Sequence, residues 1–139
     1  MVFERIMLPV DLSDRHGRAV EVAAGLAKQS GGEVVLLHVV EILPGLPRKE
    51  ESAFYGRLEK KARAHLNGIA QRLSKLKVRC LVIVTYGHRA KEVVDQAEAL
   101  EADLIVLTAP EAKTRNPTSW GSLSWKIAVL CSRPVLLVK

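Results

Sequence analysis

The stretch that decides the fold is Asp103 to Ser122, DLIVLTAPEAKTRNPTSWGS. Its first residues, Asp103 to Leu107, have the short unbroken apolar run of a strand covered on both faces. A polar segment from Thr108 to Gly121 follows, fourteen residues with no apolar period, longer than most strand-to-helix connections. At Gly121-Ser122 a helical pattern begins and continues to Leu130. A strand, a long loop and a helix in that order form one step of an alternating α/β chain, with an enlarged loop at the strand's carboxyl end.

The same step recurs on both sides of this stretch. Upstream, Phe3 to Pro9 predicts a first strand, and Asp11-Leu12-Ser13-Asp14 supplies helix-starting chemistry. There Ser13 can accept an early N–H and Asp14 suits the positive helix end. Ala19, Val20, Ala23, Ala24, Leu26 and Ala27 then form an apolar stripe, stopped at Gly31-Gly32. Glu33 to Val40 is a second buried strand, and His38 within it is expected to be a core histidine satisfied by the backbone. Glu41 to Lys49, carrying Pro44, Gly45 and Pro47, predicts a mobile irregular connection. A long helix follows over 50–73, with Leu58, Ala62, Leu66, Ile69 and Leu73 at helical spacing. Lys77 to Tyr86 gives a third strand and Ala90 to Leu100 a third helix, joined by Gly87-His88-Arg89. Downstream, Arg133-Pro134 leads into a last strand, Val135 to Val138.

Five strands alternating with four helices define an α/β domain, one parallel sheet between two helical layers, because every parallel step needs a right-handed crossover. The 139 residues suffice for one such domain and not for two. No apolar run reaches the roughly 18 residues of a membrane span, and the first residues go straight into a strand pattern without the basic-apolar-small order of a signal peptide. Cys80 and Cys131 sit in apolar runs without metal or disulfide spacing, and are expected to be core thiols in a reducing cytoplasm. The net charge of +6 is spread among acids, as in GRLEKKARAH, and six aromatic residues make a poor stacking platform. A nucleic-acid partner is therefore not expected.

Ligands of open parallel sheets bind beyond the carboxyl ends of the strands, where the winding reverses. The loops after Pro9, Val40, Tyr86 and Leu107 are the ones to inspect. None carries a GxxxxGK[ST] or GxGxxG signature, and Gly121-Ser122 lacks the GxSxG frame. His16, His38, His65 and His88 have no ligand spacing with Cys or acids, so no metal site is expected.

Several pieces, in register over the whole chain, resemble the universal stress protein family: IMLPVD at Ile6 to Asp11 with Ser13, LLHVV at Leu36 to Val40, Gly87 with Ala90, ADLIVL at Ala102 to Leu107, Gly121-Ser122, and CSRPVLLV at Cys131 to Val138. The resemblance implies a single domain of residues 1–139 with the adenine nucleotide alpha hydrolase-like arrangement, strand order 3-2-1-4-5. The winding reversal then lies between the first and fourth strands. It further implies a small cytoplasmic stress-response or signalling protein, a homodimer through Val135 to Val138 with an unknown protein partner, and not a robust enzyme.

By the same resemblance an adenine-nucleotide site, for ATP or AMP, is formed by Pro9, Val10, Asp11, Ser13, Val39, Val40, Thr108, Glu111, Arg115, Gly121 and Ser122. The family's loop carries G-x-x-G, nine residues, then G-[ST]. Here Thr108 and Glu111 take the first two glycine positions, with Ala112 to Trp120 between them and Gly121. Glycines there let backbone N–H groups approach phosphate oxygens. Thr108 and Glu111 fill that space, Pro110 removes a donor, and Glu111 adds like charge beside a polyphosphate. The expectation is thus a weakened nucleotide site with no required cofactor. The alternatives are a weak ATP hydrolase, for which no base is visible in the sequence, and a nucleotide-free interaction module.

Overall fold

The computed structural model describes residues 2–46, 49, 51–110 and 123–139. Their elements are β1 (Arg5–Pro9), α1 (Gly17–Ser30), β2 (Glu33–Glu41), α2 (Ser52–Lys75), β3 (Arg79–Gly87), α3 (Arg89–Ala99), β4 (Leu104–Thr108), α4 (Leu123–Leu130) and β5 (Val135–Val138). The strands form one sheet in the order β3-β2-β1-β4-β5, and every pairing is parallel. The winding therefore reverses between β1 and β4, as expected.

Side-chain alternation along the strands divides the core into two. Ile6, Leu8, Val34, Leu36 and Val106 face α1 and α2, meeting Ala19, Val20, Ala23, Leu66 and Leu73. Met7, Val35, Leu37, Ile105 and Leu107 face α3 and α4, meeting Val93, Ala97 and Ile127. The near-continuous apolar strands follow from this, because both faces of a parallel sheet are covered. Each fully buried Leu, Ile or Val contributes roughly 1.5–3 kcal/mol.

Three local expectations change. The first helix starts at Gly17, not near Ser13, because the Asp11 carboxylate accepts the Ser13 N–H and hydroxyl in the loop instead. Such local side-chain bonds compete with helix initiation. The connection after β2, expected to be mobile, is pinned over its 43–46 part. The buried Tyr55 hydroxyl accepts the Leu43 N–H at 2.9 Å and donates to the Leu46 carbonyl. Finally, Cys80 and Cys131 are free thiols only partly buried, and burial among strand side chains pushes Cys80 up to about 11.

Candidate functional site

The ladder between β1 and β4 is short. Only Ile6 with Leu104 and Met7 with Ile105 are in register, whereas β1 and β2 match over five residues. Beyond that point the two strands follow their outer neighbours: the Val10 N–H donates to Leu37 O at 2.9 Å and the Ala109 N–H to Val138 O at 2.7 Å. The sheet therefore opens at its carboxyl end between β1 and β4, as the reversal of winding requires. A cleft of about 210 Å³ occupies the opening.

Its walls come from five places in the chain. The β1 side supplies Pro9, Val10, Asp11, Arg15 and His16, and β2 supplies Leu37, His38 and Val39. The β4 side gives Leu107, Thr108 and Pro110, while Arg89 and Val93 of α3 and Leu123 and Ser124 of α4 complete it. The floor is apolar, and two guanidinium groups, Arg15 and Arg89, stand among the polar wall residues. Arg89 lies 3.4 Å from the Glu41 carboxylate, with about half of each side chain exposed.

The gap is bridged by side chains of the β1–α1 loop. Asp11 Oδ1 accepts the Ser13 N–H at 2.9 Å, the Ser13 hydroxyl at 2.5 Å and His16 Nε2–H at 2.8 Å. The first of these is an Asx-turn. Arg15 donates to Asp11 Oδ2 from Nε at 3.3 Å and from Nη2 at 3.2 Å, and reaches across to Ala109 O from Nη1 at 3.2 Å. His16 Nδ1 lies 2.7 Å from Thr108 Oγ1. With Nε2–H given to the carboxylate, Nδ1 is the acceptor for the Thr108 hydroxyl, a tautomer assigned from the hydrogen-bond network. The Asp11 N–H also points at Nε2 from 3.2 Å, a longer approach than the 2.8 Å carboxylate contact from which the tautomer is assigned.

His16 is only 4% exposed, although it lines the cleft. Burial lowers its pKa from the ordinary 6.5, outweighing the opposing pull of Asp11, with the positive charge of Arg15 acting in the same direction as burial. The Asp11–His16 contact has ion-pair geometry, yet it joins a carboxylate to a neutral imidazole. Burial by itself would raise Asp11, but the bonds from Ser13 and His16 outweigh it and hold the carboxyl well below the usual carboxylate range. His38 donates Nδ1–H to Val10 O at 2.9 Å, the backbone satisfaction expected of it, and also presents its ring to the cleft.

Of the residues expected at the site, Pro9, Val10, Asp11, Val39 and Thr108 line this cleft. Ser13 stands behind Asp11 and bonds it. Val40 is buried but is not among the residues that line the cleft. Glu111, Arg115, Gly121 and Ser122 lie outside the described residues. His16, Arg15 and Arg89 are the residues that sequence reasoning missed. His16 was passed over because spacing to Cys or acids was tested only for metal ligation. Among the described residues no group of three or more His, Cys, Asp or Glu could hold a metal ion, and no helix is long and apolar enough to cross a membrane.

Fold and cleft together define an open parallel-sheet α/β domain with its pocket at the β1/β4 reversal. The model of the universal stress protein family matches residues 3–139, and the chain belongs to that family. A universal stress protein of Thermus aquaticus is 31% identical over 146 residues, covering 99% of this chain and all of the relative. The solved structure of the protein MJ0577, from work assigning its biochemical function, superposes with a TM-score of 0.82 at 22% identity, covering 100% of this chain and 97% of that one. A universal stress protein from Archaeoglobus fulgidus in complex with dAMP gives a TM-score of 0.75 at 21% identity, covering 100% of both chains.

Proposed function

We propose that this chain is a cytoplasmic, homodimeric stress-response protein whose β1/β4 cleft takes an adenine nucleotide, AMP or ATP, with a phosphate end altered from the family's pattern. The observation that carries the reading is the cleft itself: an apolar floor from Val10, Leu37, Val39 and Leu107, with Arg15 and Arg89 among its polar walls. That combination suits a flat base held by apolar side chains and an anionic group held by guanidinium. The related Archaeoglobus structure contains dAMP, which supports the same ligand class. Thr108 stands where the family's first loop glycine would be, and its side chain narrows the approach of a phosphate chain to the backbone.

The dimer is the second part of the proposal. β5 ends the sheet order, and Leu136 and Leu137 on it are 37% and 44% exposed, with Val129 and Leu130 on α4 more exposed still. An edge strand with exposed apolar side chains favours pairing with a second copy.

Titration calorimetry of the full chain with AMP and with ATP, each with and without magnesium, tests the nucleotide reading. Heat is expected from both ligands, with each displacing the other. No heat from either refutes it and leaves a nucleotide-free interaction module. One observation favours that second reading: the oxygens of Asp11 are already taken by Ser13, Arg15 and His16, so a ligand would have to share or displace those bonds.

A further inference from the structure

Along the chain the positive charge looks dispersed, but the fold gathers it on one face. Residues 57–79 hold eight of the 21 Lys and Arg and one, Glu59, of the 15 acids, which leaves 13 basic and 14 acidic residues for the rest. At 3.6 residues per turn, Arg57, Lys60, Lys61, Arg72 and Lys75 fall within an arc of about 120° on α2. All five are exposed, and the arc lies opposite the buried stripe of Tyr55, Ala62, Leu66, Ile69 and Leu73. Glu59 is turned aside, its carboxylate accepting the Tyr86 hydroxyl and the Arg63 Nε–H.

These cations have no answering charge among the described residues. Ion pairs form elsewhere, and none of them includes any of the five. On α3 the ordinary solvated pattern is present, with Lys91 bonded to Asp95 four residues on. On α2 Arg57 faces Lys60 and Lys61, and Arg72 faces Lys75, like-charge spacings that disfavour a helix. Lys77 and Arg79 extend the patch past the helix end, and Leu76 stands exposed beside them. α2 packs on β2 and on β3, the end strand of the sheet.

We propose that the outer face of α2 docks this protein on an anionic lipid bilayer, with headgroup phosphates against Arg57, Lys60, Lys61, Arg72 and Lys75 and with Leu76 entering the interface. The row from Arg57 to Lys75 runs about 27 Å along one side of a helix, a straight contact that a planar surface meets over its whole length. Anionic lipids diffuse laterally to the cations, so the partner charges need no fixed spacing. A cluster of four to eight Lys and Arg on one helix is what binding to anionic headgroups requires. A nucleic-acid duplex answers the charge alone and offers no apolar place for Leu76. Stacking on single-stranded bases is not served either, since neither Phe54 nor Tyr55 is exposed. The proposal is independent of what the cleft binds.

The test is co-sedimentation of the full chain with phosphatidylcholine vesicles containing about 30% phosphatidylglycerol, beside vesicles of phosphatidylcholine alone. Binding is expected to the anionic vesicles only at about 0.1 M salt, and to be lost at about 1 M, where the Debye length falls to about 3 Å. Lys60→Gln combined with Lys61→Gln is expected to weaken partition about 30-fold, each cation near the surface being worth about fivefold. Lys91→Gln combined with Lys126→Gln makes the same change of net charge at exposed sites on α3 and α4, and is expected to leave partition within about twofold of the wild type. Leu76→Gln is expected to weaken partition without changing its salt dependence. Urea unfolding with the wild-type m-value marks each variant as folded. Absence of binding to the anionic vesicles, or equal loss in the two double variants, overturns the proposal. Tighter binding to a short DNA duplex than to the vesicles, lost in the variant at Lys60 and Lys61, overturns the lipid partner. Unchanged partition of Leu76→Gln overturns the entry of Leu76 into the interface.

Discussion

Replacing His16 by Phe separates the packing of the imidazole from its hydrogen bonds, since a ring of similar outline stays in the buried space. Two bonds are lost, one to the Thr108 hydroxyl and one to the Asp11 carboxylate. A neutral bond contributes about 0.5–1.5 kcal/mol net, and one to a charged group about 1.5–3. Asp11 is 36% exposed and keeps Ser13 and Arg15, so its share falls at the low end. The expected destabilisation is about 2–3 kcal/mol. With an unfolding entropy near 2.1 cal/mol/K per residue, the 139 residues turn that into a drop in Tm of about 7–10 °C. Urea unfolding of His16→Phe, Thr108→Val and the double variant measures it, with an unchanged m-value marking a folded reference. The two substitutions share a bond, so the double variant is expected to lose about 0.5–1.5 kcal/mol less than the two singles together. A His16→Phe protein within about 0.5 kcal/mol of the wild type, or strict additivity with Thr108→Val, refutes the view that these bonds tie the loop to β4.

The same histidine gives the stability a pH dependence. Burial lowers its folded pKa below the ordinary 6.5, so the unfolded chain binds the proton more readily. The contribution is complete above 6.5 and is lost as pH falls from there through the folded pKa, with a slope of at most about 1.4 kcal/mol per pH unit. Denaturant midpoints across that window are expected to decline in the wild type and to decline less in His16→Phe, and parallel profiles contradict the assignment. Gly32→Ala is expected to destabilise by about 1–3 kcal/mol. A methyl there would sit 2.5 Å from Glu4 O, which also accepts the Glu33 N–H at 2.8 Å, so backbone must move. An unchanged midpoint would show that β1 yields at its start. Leu137→Glu places charge on the exposed end strand and is expected to yield monomers by sedimentation where the wild type is dimeric. A wild-type monomer removes the β5 pairing, and a dimer that survives the substitution moves the interface elsewhere.

Part of the cleft lining was legible in pattern and resemblance. Pro9, Val10, Asp11, Val39 and Thr108 were reached from loop position and the family's spacing, and all five line the cleft. His16 was not reached, because at five residues beyond Asp11 it looked like part of a polar helix start. Only the late start of α1 at Gly17 turns it back under the loop. Arg89 was passed over, because the direction of each side chain at the β3–α3 turn is a matter of packing. Val40 was named beside Val39, since sequence alone does not say which member of a buried pair faces the opening.

The alternation of apolar strands with amphipathic helices by itself determined the parallel sheet, because each crossover must bury a helix face on a strand covered from both sides. The length carries the expectation of a single domain, and the resemblance, through Thr108 and Glu111, shows the departure from the family's glycine loop. Tertiary structure alone decided what occupies the place the first glycine leaves. β1 and β4 part after two registered pairs, and a buried histidine reaches across the gap to Thr108. Residues 92 apart in sequence have no local signal for such a bond. It exists because the winding reverses there and leaves two strand ends whose polar groups must be satisfied by side chains.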